Sequence, residues 1–562
     1  PHGTMNYLDR RSFLALASGL AASCAAGSAT GLRRGERCDL LLLGGTVVDG
    51  TGAAGFRADV AVQGDRIAGI GSFDARDAEL AVDVKGLHVC PGFVDIHTHS
   101  DSSIFRWPGA ESRVRQGVTT EVTGNCGGSA APRPPAAAAE ETDASEPAAG
   151  QRWSDVRSYG EAWQQADPAV NHAMLVGHGT LRRAVMGDVD RPATEAELAA
   201  MVVLLEQALD DGAIGMSTGL EYVPGIYSQP AEIERLARSV ARKGGLYASH
   251  MRSEEDQLLQ AVDEVLAVGR NTGVRVQVSH LKACGRANWP LLEEAIRRIE
   301  SARAEGVDVM ADAYPYTAYS TTLTILLEPW SREGGAEEIV RRLRDPALRA
   351  RMHAELGPHV ARDPGGYELV VIASVDAREH ENCIGRSLDE IAASWKCDAA
   401  EAVLRLLEAS SCGVSFIGHG IASEGVDRVL AHPLVMVGSD GRTMAPVGRV
   451  VDRPHPRSYG TFPRVLGVYC REQRLFDLPT AIRKMTALPA ERARLLDRGV
   501  LRPGAFADLV VFDAATVRDQ ATYADPQRHP TGIVHVAVNG ELVVRDGAGT
   551  KARPGRWLAH GT

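Results

Sequence analysis

Histidine, cysteine and aspartate side chains recur in this 562-residue sequence where ligands for one ion would have to stand: His97, His99, Cys126, His250, His280 and Asp440. The first two end the apolar run Pro91-Gly92-Phe93-Val94-Asp95-Ile96-His97-Thr98-His99. Side chains repeat with period two along a strand, so His97 and His99 share a face and can reach a common metal. One His-x-His is weak by itself. It gains weight because Cys126 follows a strand-like 118–123, while His250, His280 and Asp440 close the strand-like segments 246–250, 274–280 and 434–440. Thiolate with imidazole favours zinc, and a carboxylate at the last strand end can act as general base on activated water. From these residues alone the plainer readings stay open: Cys126 as a buried thiol, His250 or His280 as satisfied core histidines.

The elements that would hold these residues repeat one grammar. Thr194 to Asp211 opens with a capping box, Thr194 to Glu197, and stops at Gly212 before the strand-like Ala213-Ile214-Gly215-Met216-Ser217. Helix 229–242 then leads to strand 246–250, helix 255–268 to 274–280, helix 291–304 to 307–314 and helix 423–431 to 434–440. Successive βα units predict a parallel sheet with covering helices, and strand C-terminal ends are where such a barrel places its chemistry. Residues 38–48 and 58–70, the latter with a Gly64-Asp65 hairpin turn, read as short strands. So do 506–513 and 533–545, with a turn at Asn539-Gly540. The predicted fold is therefore α/β: a (β/α)8 TIM-type barrel over 91–499, with a small β-sandwich-like domain built from 37–90 and 500–548. Residues 133–150, rich in Pro, Ala and acids, read as a mobile loop.

Composition limits the partners. Hydrophobic residues at 44% and charged ones at 24% exclude general disorder and a multi-span membrane protein. A net charge of −11 without a long basic run excludes the usual nucleic-acid binder and leaves a small molecule as the expected partner. Nine cysteines without C-x-x-C pairs give no disulfide framework. Pro1–Thr4 read as a cloning remnant before Met5, and 5–36 as a signal and linker: Arg10-Arg11-Ser12-Phe13-Leu14 and the Ala/Leu/Gly-rich stretch after it resemble a twin-arginine export signal. The expectation is a periplasmic or extracellular protein with no membrane span, Cys24 being an alternative point of lipid attachment.

The segments PGFVDIHTHSD (91–101), GVTTEVTGNCG (117–127), GAIGMSTGLEY (212–222), YASHMRSE (247–254), QVSHLKACG (277–285), DAYPY (312–316), VGSDG (437–441) and HPRSYGTFPRVLG (455–467) occur in this order across nearly the whole chain. As a set they resemble the amidohydrolase superfamily and, within it, the N-acyl-D-amino-acid deacylase (D-aminoacylase) family. That resemblance implies zinc-dependent hydrolysis of the amide of an N-acyl-D-amino acid. It implies one tight zinc at Cys126, His250 and His280, with Cys126 in the place a carboxylated lysine takes elsewhere in the superfamily. His97, His99 and Asp440 would flank a second, weaker or unfilled position, with Asp440 as the catalytic base. Lys282, Arg252 and Tyr314 resemble the family's grip on the substrate α-carboxylate. His455 and Arg457 fall in a family motif without a derived role, and His178 and His419 read as structural or lining residues.

Three other readings compete. Gly215-Met216-Ser217-Thr218-Gly219 fits the G-x-S-x-G of serine hydrolases, but the helix that motif needs does not follow directly. A non-catalytic exported solute-binding protein would show damaged ligand positions, and here each is filled. Within the superfamily, another amidase or a dipeptidase is the runner-up.

Overall fold

The computed structural model describes residues 37–133, 153–357, 360, 365–444 and 451–560. The expected cloning remnant, export segment, Cys24 and most of the Pro/Ala-rich loop lie outside them. The chain opens with β1 (Cys38–Val47), β2 (Phe56–Gln63), β3 (Arg66–Gly71), β4 (Ala78–Asp83) and β5 (His88–Pro91). Next come β6 (Phe93–Asp95), β7 (Val118–Thr123), β8 (Asn171–Gly177), β9 (Gly215–Gly219), β10 (Leu246–His250), β11 (Arg275–Val278) and β12 (Val309–Ala313). Three strands, β13 (Tyr319–Thr322), β14 (Val370–Val375) and β15 (Val414–Gly418), precede β16 (Val435–Val437). The last four are β17 (Leu509–Phe512), β18 (Ile533–Val538), β19 (Glu541–Arg545) and β20 (Ala548–Gly549).

Both chain ends meet in one nine-stranded sheet, where β17 runs antiparallel to β5. Asn539 and Gly540 both have positive φ, 47° and 88°, as a tight two-residue hairpin turn requires. β1 pairs antiparallel with β2 along one edge and serves two strands on the other: its first part runs parallel to β4 and its end to β5, the change falling at the Gly44-Gly45 irregularity. Leu40, Val60 and Val62 from one end share a core with Leu509 and Ala537 from the other.

The barrel is an eight-stranded sheet, β6 to β12 followed by β16, with every strand pair parallel. Its seam is closed by backbone bonds of the candidate ligands: Asp440 N–H donates to His97 O at 2.8 Å and His99 N–H to Gly441 O at 2.8 Å. The outer helices are α1 (Glu195–Asp210), α2 (Pro230–Arg242), α3 (Leu258–Thr272), α4 (Leu291–Ala304) and α5 (Ser423–Ala431). The capping box at Thr194 is made in both directions, α2 begins on proline, and α3 ends at Gly273 with φ 70°. Val94, Val122, Leu175, Leu246 and Met436 fill the interior, with Leu495 and Leu558 packed against them.

Between β12 and β16 the chain leaves the barrel, where the sequence reading has continuous barrel. β13, β15 and β14 form a separate antiparallel sheet, with a core of its own that includes Leu326, Leu327, Ile339, Ile372 and Phe416. Helix and strand alternate here as they do in the barrel, and strand periodicity does not reveal a strand's partner. This insert supplies one wall of the site.

Candidate metal centre

Cys126 sits on the turn after β7, between Gly124 and Gly127, two positions that leave no room for a side chain. A Cβ at Gly124 would stand 1.8 Å from Leu175 O, and one at Gly127 would stand 2.5 Å from Gly219 N, so only glycine permits this approach. Buried Ser217 of β9 braces the loop, its hydroxyl donating to Gly124 O and accepting from Gly127 N–H at 3.0 Å. The G-x-S-x-G segment is therefore strand scaffold, with its serine committed to the cysteine loop. Cys126, His280 and Asp440 all have left-handed backbone, φ 51°, 36° and 52°. That conformation costs of order 1–3 kcal/mol per residue and is retained where the surroundings over-determine it, as at functional sites.

Two donor groups meet at Cys126. In the first, one donor atom each from Cys126, His250 and His280 lie within 4.8 Å of one another. Cys126 Sγ is 3.5 Å from His280 Nε2, and His250 Nδ1 is 3.0 Å from the same nitrogen. Zn–N near 2.0 Å and Zn–S near 2.3 Å give tetrahedral ligand–ligand edges of roughly 3.3–3.6 Å, so this set has the right size. The opposite ring nitrogens have their orienting partners: His250 Nε2 lies 2.8 Å from Glu221 Oε2, and His280 Nδ1 2.8 Å from Glu254 Oε1. In the second group, His97, His99 and Asp440 join the same thiol within that limit. Asp440 Oδ1 is 2.9 Å from His99 Nε2 and 3.6 Å from His97 Nε2, while Asp312 orients His97 through Nδ1 at 3.1 Å. Burial pushes the Cys126 thiol up, but His97 and His280 beside it outweigh burial and hold it well below its usual range. The donor chemistry thus fits a soft-to-borderline divalent ion, with the Cys126 thiolate within reach of both donor groups.

A fully buried charge network ties this seam together. Arg113 bonds the Asp95 carboxylate, lies 3.0 Å from Glu121 and donates to Ser439 Oγ at 3.1 Å. Ser439 N–H returns to Asp95 at 2.8 Å. The strand bearing His97 and the turn bearing Asp440 are thereby held to one guanidinium.

The site opens into a cavity of about 580 Å³. On its rim Arg457 donates to Asp440 Oδ2 at 2.7 Å and to Ser320 O at 3.2 Å. His455 accepts from Arg457 N–H through Nδ1 and pairs with Ala318 O at 2.9 Å, which gives that motif a positioning part. Lys282 Nζ lies 2.6 Å from Glu254 and 2.9 Å from His280 Nδ1. Burial lowers the Lys282 pKa, but Glu254 more than compensates and keeps it charged. Lys282 Nζ and the Arg457 guanidinium stand 5.6 and 5.3 Å from the centre of the Tyr314 ring. The buried Tyr314 hydroxyl has no hydrogen-bond partner among the described residues.

The structure thus brings His97, His99, Cys126, His250, His280 and Asp440 together, with Lys282 and Tyr314 beside them. Arg252 corrects the expectation of an open carboxylate grip. It lines the cavity, but its guanidinium forms a two-point bond with Glu264 at 2.8 and 2.9 Å and also donates to the Ile226 and Ser228 carbonyls. His178 pairs with Glu232 away from the cavity, and the His419 ring packs against Tyr523. Glu221, Glu254 and Asp312 were not singled out by sequence reasoning and Arg457 was named there without a role, although each lies inside a quoted segment. For Glu254 the usable signal was an acid a few residues beyond the strand that ends at His250.

The sequence matches the profile of the family described as Amidohydrolase family over residues 80–544. An N-acyl-D-glutamate deacylase of Alcaligenes xylosoxydans xylosoxydans is 41% identical over 93% of this chain and 97% of its own length. A D-aminoacylase of the same organism is 40% identical with the same coverage. The solved structure of N-acyl-D-glutamate deacylase from Bordetella bronchiseptica, complexed with zinc and a phosphonate inhibitor, superposes with a TM-score of 0.79 at 39% identity, covering 93% of this chain and all of that one.

Proposed function

The chain belongs to the Amidohydrolase family, and from that premise we propose that it is a metal-dependent hydrolase that cleaves the amide of N-acyl-D-amino acids to a carboxylate and a free D-amino acid. The observation that carries this reading is the convergence of Cys126, His250 and His280 in a cavity that also holds Lys282, Arg457 and the Tyr314 hydroxyl, which has no hydrogen-bond partner among the described residues. Cys126, His250 and His280 would hold zinc, which when bound would supply the Lewis acidity that polarises an acyl carbonyl and acidifies water.

Asp440 does the proton work. Burial raises its pKa, but Arg457, His99 and His97 outweigh that and keep the carboxylate ionised. Oδ2 is anchored by Arg457, so Oδ1 is left facing the donor groups, where it takes a proton from the attacking water and delivers it to the departing amine nitrogen. Lys282, Arg457 and Tyr314 bind the substrate α-carboxylate: two cations flank one ring whose hydroxyl is free to donate. This fixes the amide over the donor groups. His97 and His99, with Asp440, would flank a second and weaker metal position.

Export belongs to this proposal, supported by the Arg10-Arg11 segment and the apolar stretch behind it. Cell fractionation of the protein with and without an Arg10→Lys/Arg11→Lys change tests it, and retention of both forms in the cytoplasm overturns it. The activity is tested by amine release from N-acetyl amino acids of both configurations with added zinc. Turnover of the D series with little of the L series is expected. Preference for L forms, or for unacylated dipeptides, would overturn the reading.

A further inference from the structure

At 41% and 40% identity, the two relatives described above carry different names, an N-acyl-D-glutamate deacylase and a D-aminoacylase, so overall similarity leaves the side-chain class open. The walls of the cavity bear on it directly. We infer that the side chain of this protein's substrate is apolar, of leucine or phenylalanine character, and that Ile226, Ile325, Leu326 and Leu327 receive it. The inference rests on the deacylase reading and adds the substrate class.

Charge accounts for half of the argument. Four cations line the cavity. Three already face carboxylates: Lys282 with Glu254 at 2.6 Å, Arg457 with Asp440 at 2.7 Å and Arg252 with Glu264 at 2.8 Å. Lys282 and Arg457 are further engaged by the α-carboxylate on the reading above. A second carboxylate on the substrate would then find Arg332, which is buried, donates to Glu221 O at 3.0 Å and has no carboxylate partner among the described residues. Glu221 and Glu328 act on that guanidinium, and Glu255 lines the same cavity. An incoming carboxylate would therefore meet three acids for one cation, and burying an incompletely paired carboxylate is costly.

Shape and rigidity account for the other half. Leu326 and Leu327 belong to the insert's own buried core and still reach the cavity, so this wall is preformed rather than loose. Ile226 also lines the cavity, from the turn after β9, and belongs to none of the buried cores. An aliphatic or aromatic group seated against these residues removes its own apolar surface and theirs from water.

The test is kcat/KM for amine release by the full, zinc-loaded protein from the N-acetyl derivatives of D-alanine, D-leucine, D-phenylalanine and D-glutamate. D-Leucine should exceed D-glutamate by about 100-fold or more and D-alanine by about tenfold or more, the scale on which apolar pockets discriminate. Ile226→Ala, which removes no core packing, should narrow the D-leucine to D-alanine ratio several-fold with an unchanged Tm. An unchanged ratio would overturn the assignment of that wall. A preference for D-glutamate that Arg332→Met removes would overturn the inference and assign Arg332 as the reader of an acidic side chain. Turnover of none of the D derivatives would instead refute the deacylase reading.

Discussion

Cys126 stands in both donor groups, so its loss should be felt at both. Cys126→Ala is expected to lower bound zinc to well under one equivalent by elemental analysis of the purified protein, because two imidazoles alone hold the ion poorly. Full zinc in that variant would remove the thiol from the site. Asp440→Asn separates binding from chemistry: zinc at Cys126, His250 and His280 should remain, while kcat falls by on the order of 10² or more, the scale of a lost general base. Near-normal turnover would end that assignment. Lys282→Met should lower kcat/KM on N-acetyl-D-amino acids by about one to two orders of magnitude, the scale of a charged hydrogen bond of roughly 1.5–3 kcal/mol. Lys282 also contacts Glu254 and His280, so the control is an N-acyl amine without a carboxylate. An equal loss on both substrates would mean that Lys282 acts through the ligand His280 and not on the substrate.

At the scale of elements, strand ends do the positioning, and the brace between β9 and the cysteine loop is the most specific instance. Ser217→Ala leaves the Gly127 N–H and the Gly124 carbonyl in a dry site without their partner and is expected to destabilise the protein by about 1–3 kcal/mol, read as a lowered Tm, with zinc content falling alongside. An unchanged Tm and zinc content would show that the glycines alone set the loop. The ligand-bearing strands were legible because βα alternation and period-two patterning are local signals: β10 spans Leu246–His250, the segment read from the sequence, and α4 and α5 also keep their read bounds. The helix expected from 255 begins at Leu258, because Arg252 to Glu255 and Gln257 line the cavity, with Arg252 tied to Glu264 and Glu254 to Lys282. β4 and β5 escaped notice, since short strands carry too little alternation to stand out. The antiparallel insert and the acids behind the histidines are fixed by partners far away in sequence, as Asp312 and His97 are, 215 residues apart. Such pairings leave no periodic trace.

Over the whole molecule, one domain holds the chemistry and other parts of the chain close it, including the C-terminal segment, where Trp557 stacks on His172 with ring centres 5.4 Å apart. Burial pushes the His172 imidazole down to about 3. Between its ordinary value near 6.5 and about 3, the unfolded chain binds a proton that the folded chain excludes. This group's contribution is therefore fully present above about pH 6.5 and is lost at about 1.4 kcal/mol per pH unit on acidification. His172→Gln keeps a partner for Thr123 and should lose less stability between pH 7 and pH 5 than the parent, by about 2 kcal/mol in denaturant titrations. Parallel pH profiles would contradict it. No helix among the described residues is long and apolar enough to cross a membrane. The central claim, hydrolysis of N-acyl-D-amino acids by a metal seated on Cys126, His250 and His280, is tested most directly by titrating metal-stripped protein with zinc while following amine release from the N-acetyl-D-amino acid it turns over fastest. The rate should rise from near zero in proportion to zinc up to one equivalent, and the L enantiomer should stay near background throughout. Undiminished activity in the stripped protein, or an equal response from the L enantiomer, would contradict it.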